Sequence, residues 1–152
     1  MQNQKKKKEI IPQTKTFTDK DRDELKILRK QTREIMKPLT KGKIVNNHNN
    51  VAAYITMSGV NEMLSSKAVM QSVKNGFTKE QHIEAVQNIH KIFPNAIYKE
   101  TQTPVHAKDY VKSYSVYLGN FKDSNAVISI EERKAKNNIF YFLKLESLQP
   151  NN

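Results

Sequence analysis

Between Ser58 and Glu146 the hydrophobic period changes once, from helical spacing to alternation, and that order restricts the fold more than any other feature. Ser58 can cap a helix from about Val60 to Lys74, with Met63, Lys67, Met70 and Val73 along one side. Asn75-Gly76 stops it, because both residues tolerate the left-handed conformation of a helix end. Thr78 and Gln81 form a capping-box pair for a second helix, whose Ile83, Val86, Ile89 and Phe93 share a face until Pro94. Strand-forming runs follow at Ala96 to Lys99, Tyr110 to Leu118, Ala126 to Glu132 and Ile139 to Leu145. Gly119-Asn120 and Lys136-Asn137-Asn138 read as hairpin connections. Helices first and closely spaced strands afterwards predict an α+β domain with a small antiparallel sheet.

The first 45 residues read differently. They hold 14 Lys and Arg against 6 Asp and Glu, so most of the net charge of +11 sits there. Residues 1–17, with the Lys5 to Lys8 block and Pro12, read as disordered. From Thr18, spaced with Asp21 like a capping box, Leu25, Leu28, Ile35 and Met36 predict an amphipathic helix up to Lys37-Pro38. The Gly- and Asn-rich run Lys41 to Asn50 reads as a linker. The expected division is a basic, partly disordered arm over 1–45 and an α+β domain over 46–149. A basic arm suits a polyanionic partner, bound through counterion release, although it also suits a solubilising tail.

Several classes drop out on composition. No apolar run approaches the roughly 18 residues of a membrane span, and the charged N-terminus lacks the apolar stretch of a signal peptide. A cytoplasmic site of action is therefore expected, including delivery into a target cell as part of a larger protein. Without cysteine, thiolate catalysis, disulfides and Cys-ligated zinc are excluded. Phosphate-loop, HExxH and GxSxG patterns are absent from the sequence. His82 and His90 stand too far apart along a helix to share a metal. What remains is acid–base chemistry by His, Glu, Lys, Arg and Tyr. That set suffices for RNA transesterification, in which a base takes the 2′-hydroxyl proton, cations stabilise the phosphorane and an acid protonates the leaving 5′-oxygen. No cofactor is needed.

The run NEMLSSKAVMQSVKNGFTKEQHIEAVQNIHKIFPNAIYKE, with AVISIEE and IFYFLKLE after it, resembles the phage and polymorphic-toxin branch of the barnase/EndoU/colicin E5/RelE-like nuclease superfamily. The resemblance implies a metal-independent endoribonuclease of toxin or mobile-element type. RNA would be its partner, alongside a cognate immunity or antitoxin protein. It puts His82 at the histidine that opens the second helix, Glu132 at the acidic strand end and Tyr141 at the tyrosine of the last strand. Glu131 departs from the pattern where a lysine often stands, as does Phe142 where a small hydroxyl residue often stands.

The candidate set is His82, Glu132, His106 and Tyr141 for proton transfer, with Lys67 and Arg133 for phosphate. Each has a plainer explanation. His82 borders an apolar helix face, Lys67 can lie along a helix with its charge in water, and His106 sits in a loop beside Lys108. Glu132 with Arg133 can form an exposed ion pair, and Tyr141 can be packing. If regular strand alternation holds, Lys144 projects from the face opposite Tyr141. Tyr110, Tyr114 and Tyr117 are candidates for stacking unpaired bases. The alternative to an enzyme is an inactive nucleic-acid-binding or protein-interaction module on the same fold.

Overall fold

In a computed structural model the chain is described over residues 16–103 and 111–151. The Lys5 to Lys8 block, Pro12, His106, Lys108 and Tyr110 lie outside the described residues. Five α-helices precede most of the strands: α1 (Asp19–Met36), α2 (Met57–Met63), α3 (Ser66–Lys74), α4 (Lys79–Gln87) and α5 (Ile89–Ile92). The strands are β1 (Lys43–Val45), β2 (Ala52–Tyr54), β3 (Ile97–Gln102), β4 (Val111–Phe121), β5 (Ser124–Ala135) and β6 (Asn138–Pro150). They form one sheet in the order β1-β2-β6-β5-β4-β3, antiparallel except where β2 runs parallel to β6. The class is α+β.

Local chemistry explains the helix boundaries. Thr18 and Asp21 close a reciprocal capping box on α1, and Thr78 and Gln81 close another on α4. Gly76, at φ +100°, ends α3. The single helix expected from Val60 to Lys74 is instead two. Thr56 caps α2 through the Gly59 amide, and Ser65 starts α3 afresh by accepting from the Ala68 amide at 3.2 Å. The second expected helix also breaks, at Asn88, whose side-chain amide donates to the Glu84 carbonyl at 2.8 Å.

α1 is seated on the body rather than standing free. Leu25 and Met36 are fully buried in the core and Thr32 is buried beside them, so Leu25→Ala should cost about 3 kcal/mol. Lys79 fixes the start of α1 from below, bonding Glu24 at 2.8 Å and Asp21 at 3.2 Å. The run from Lys41 to Asn50 supplies β1 and a tight turn, where a linker was expected. Its Asn46 is buried, donating to the Phe93 and Ala96 carbonyls at 2.8 Å each and accepting from the His48 and Asn49 amides.

The core fills one face of the long strands. Tyr117, Ile128 and Leu145 stand opposite one another across β4, β5 and β6, as do Ser115, Ile130 and Leu143 in the next row. A bulge in β6 keeps Leu148 on this face, since Ile128 pairs with Leu145 but Val127 pairs with Ser147, leaving Glu146 as the extra residue. Gly119, expected in a turn, lies inside β4 under α5. An added Cβ there would collide with Ile92 Cγ2. The hairpin turn falls at Lys122-Asp123 instead, with Lys122 at φ 55°. Beyond Phe142, no strand among the described residues pairs with the outer side of β6. There α3 satisfies it, with the Leu148 amide donating to Ser72 Oγ and the Asn75 amide donating to the Leu148 carbonyl, both at 2.8 Å.

Candidate functional site

His82 is the first sequence candidate, and it lies at zero exposure. Its Nε2–H donates to the Met63 carbonyl at 2.8 Å, which leaves Nδ1 as an acceptor for the Ser72 hydroxyl at 2.7 Å. Ser72 Oγ in turn accepts from the Leu148 amide. Burial pushes the imidazole below its ordinary basicity, against a smaller upward pull from the Met63 carbonyl. Both nitrogens are used within the protein, tying α4 to α2 and α3, and Ser72 carries the link on to β6.

The other candidates divide between the two faces of the sheet. Glu132 and Tyr141 are direct cross-strand partners on the core side. Tyr141 packs against the core there and lines a hollow with Asn49, Asn50 and Tyr54. Arg133, one residue on, faces the opposite side, where it pairs with Glu131 and lies 4.3 Å from the centre of the Phe142 ring. The structure therefore brings Glu132 to Tyr141 and separates both from Arg133. Lys67 is exposed on α3 and borders a cleft of about 380 Å³ with Glu62, Gln71, Lys144 and Glu146.

That second face is where charged and aromatic groups converge. Register puts Tyr114, Glu131, Phe142 and Tyr54 in one row across β4, β5, β6 and β2. In the adjacent row Val116, Ser129 and Lys144 stand together. The Glu131 side chain is only 9% exposed, covered by its neighbours yet tied to Arg133. Lys144 bonds Glu62 of α2 at 2.9 Å. Ser129 donates to Glu146 at 2.5 Å, bringing that bulged carboxylate to the same face. Burial works against the Lys144 charge, but Glu62, Glu146 and Glu131 outweigh it and raise the ammonium above its ordinary pKa. Burial also raises the Tyr114 phenol, helped by Glu131 and opposed by Lys144 and Arg133. Tyr114 therefore stays protonated at neutral pH and can donate. Among the described residues no cluster of three or more His, Asp and Glu side chains could hold a metal ion.

Sequence reading chose Glu132 where this face offers Glu131. The strand register decides which of two adjacent glutamates meets Tyr114, and it runs unbroken from the hairpin pair Phe121 and Ser124 to Tyr114 and Glu131. The detectable signal was the alternation of Lys144 against Tyr141, which already assigned Lys144 to the other face.

A family model for large polyvalent protein-associated domain 3 matches residues 23–141. The chain belongs to this family. It is a phage- and polymorphic-toxin-associated family, which fits the phage context of the resemblance loosely and does not extend to the nuclease superfamily. The match runs from within α1 to within β6, so α1 and β1 belong to the family domain together with the long strands. No curated protein and no solved structure matches the chain. Among the described residues of this large polyvalent protein-associated domain, no helix is long and apolar enough to cross a membrane.

Proposed function

We propose that the domain is a metal-independent endoribonuclease whose reacting groups lie on the open sheet face. The observation that carries this reading is the row of Tyr114 beside Glu131, with Arg133 bound to that carboxylate and Lys144 in the neighbouring row. Transesterification needs a base, cations and an acid, and this row with its neighbours on the same face brings all three types together. Glu131 takes the 2′-hydroxyl proton as the 2′-oxygen attacks phosphorus. Arg133 and Lys144 stabilise the charge on the phosphorane oxygens. Tyr114 gives its proton to the 5′-oxygen as the P–O5′ bond breaks, leaving a 2′,3′-cyclic phosphate, and a proton from Glu131 or water restores the phenol. Lys67, across the cleft, holds a neighbouring phosphate. His82 acts in this scheme as an interior support.

Incubation of the full chain with total RNA in EDTA, followed by end-group analysis, tests it. Fragments with cyclic phosphate ends should form, and Glu131→Gln or Lys144→Met should lower the rate by about 100-fold or more, the scale of a lost acid–base or electrostatic group. Unchanged rates in both variants would overturn the assignment.

One observation favours a second reading, an inactive RNA-binding module. Arg133 already pairs with Glu131, and Lys144 with Glu62. Under that reading RNA binds in a salt-sensitive manner and stays uncut.

A further inference from the structure

We propose that Tyr54, Phe140 and Phe142 form a shelf that stacks unpaired nucleobases of a single-stranded RNA crossing the open face; the choice of ligand rests on the ribonuclease reading. The three rings lie together at the β2–β6 junction. Tyr54 is 6.3 Å from Phe140 and 6.1 Å from Phe142 between ring centres, tilted by 49° and 35°. Among the described residues none of the three belongs to the core or packs against it, although Tyr141, between the two phenylalanines in sequence, does. Packing therefore explains Tyr141 and leaves its neighbours unaccounted for. All three are partly exposed and border a hollow of about 420 Å³ with Thr40, Thr56 and Met57.

Charge selects the occupant. Lys43 Nζ lies 5.4 Å from the Tyr54 ring centre at one end, and Arg133 lies over Phe142 at the other. Flat apolar faces bracketed by cations suit a ligand that alternates flat rings with anions, which describes a single-stranded nucleic acid. A duplex hides its base faces and would not fit. Phe142 is the direct cross-strand partner of Glu131. The shelf thus begins one strand away from the reacting groups, and a base held there belongs to a nucleotide adjacent to the cleaved phosphate.

Fluorescence anisotropy on the full chain tests the shelf, using a labelled 2′-O-methyl RNA of mixed sequence, which cannot be cut, beside an abasic ribose-phosphate oligomer of equal length. Wild type should bind the base-bearing strand at least about tenfold more tightly. Tyr54→Leu and Phe140→Leu should each remove about tenfold of that affinity, the scale of one lost base–aromatic stack, while binding the abasic oligomer unchanged. Tyr54→Phe should behave as wild type. Equal wild-type affinity for the two oligomers would overturn the shelf without any variant, as would equal losses for both oligomers in the leucine variants. Discrimination by the shelf in a protein that leaves ordinary RNA uncut would uphold the shelf and remove the catalytic reading. Cleavage without any preference for bases would do the reverse.

Discussion

His82 binds Met63 and Ser72 in the same interior where Ser72 receives the Leu148 amide, so a single imidazole holds helices and sheet in register. His82→Ala should cost about 3 kcal/mol, since it leaves a cavity and two unpaired polar groups. Urea unfolding at pH 7.5 measures this. The pH dependence follows from the lowered basicity of His82 in the folded state. Its contribution is full above the unfolded histidine value near 6.5 and is lost as pH falls through that value toward the folded one, because the unfolded chain binds the extra proton. The urea midpoint should therefore drop between pH 7 and pH 5, less steeply in His82→Ala; equal slopes would show that other groups govern this window. The position of His82 at the edge of an apolar helix face was legible from spacing, but its two partners came from elements remote in sequence. Glu131 was harder still to recognise. What distinguishes it from Glu132 is the company of Tyr114, Phe142 and Arg133, which only the strand register supplies.

Caps were the most legible elements, because a Thr and the acid or amide three residues later act within one turn; both expected capping boxes formed. Breaks within the helical stretches escaped notice for the opposite reason. At Ser65 and Asn88 the helical period continues on each side, and tertiary packing decides that the chain turns. Gly119 illustrates the same limit, since a glycine before an asparagine reads as a turn until α5 is laid over it. Gly119→Ala should cost about 2 kcal/mol by forcing Ile92 and Ala96 away from β4. Adding Ile92→Ala should recover part of that loss, and thermal unfolding of the single and double variants would measure it; strictly additive losses would contradict the steric account. The seating of α1 depends on a different element contact. The hydrogen bond that Lys79 donates to Glu24, with those to Asp21 and Glu80, raises the lysine pKa above its ordinary value, so it is charged at neutral pH. Lys79→Met should speed amide exchange in α1 while the long strands keep their protection, and added salt should narrow the difference between variant and wild type.

At the scale of the whole molecule, the α+β order was legible because a change of period spans some ninety residues of contiguous sequence, roughly the length of a small domain. The β1–β2 edge was not, since Lys43–Val45 and Ala52–Tyr54 are three residues each, too short to show alternation. Charge is the other property of the whole chain. Residues 1–15 carry five lysines and one glutamate, a large share of the net +11. Bound RNA would extend past the open face, and the arm lysines could then neutralise phosphates that the cleft does not reach. For single strands the logarithm of affinity falls with the logarithm of salt by about 0.7 per phosphate neutralised. Deleting residues 1–15 should therefore lower the salt slope by up to about 3.5, if all five lysines make contact. On the ribonuclease reading the positions of the cuts should not change, because the proposed reacting groups lie on β4, β5 and β6. Anisotropy titrations across a salt series, run with the shortened and full chains, give the slopes, and sequencing of the fragments gives the cuts. An unchanged slope would confine RNA contact to the sheet face, whereas altered cut positions would mean that the arm takes part in placing the scissile phosphate.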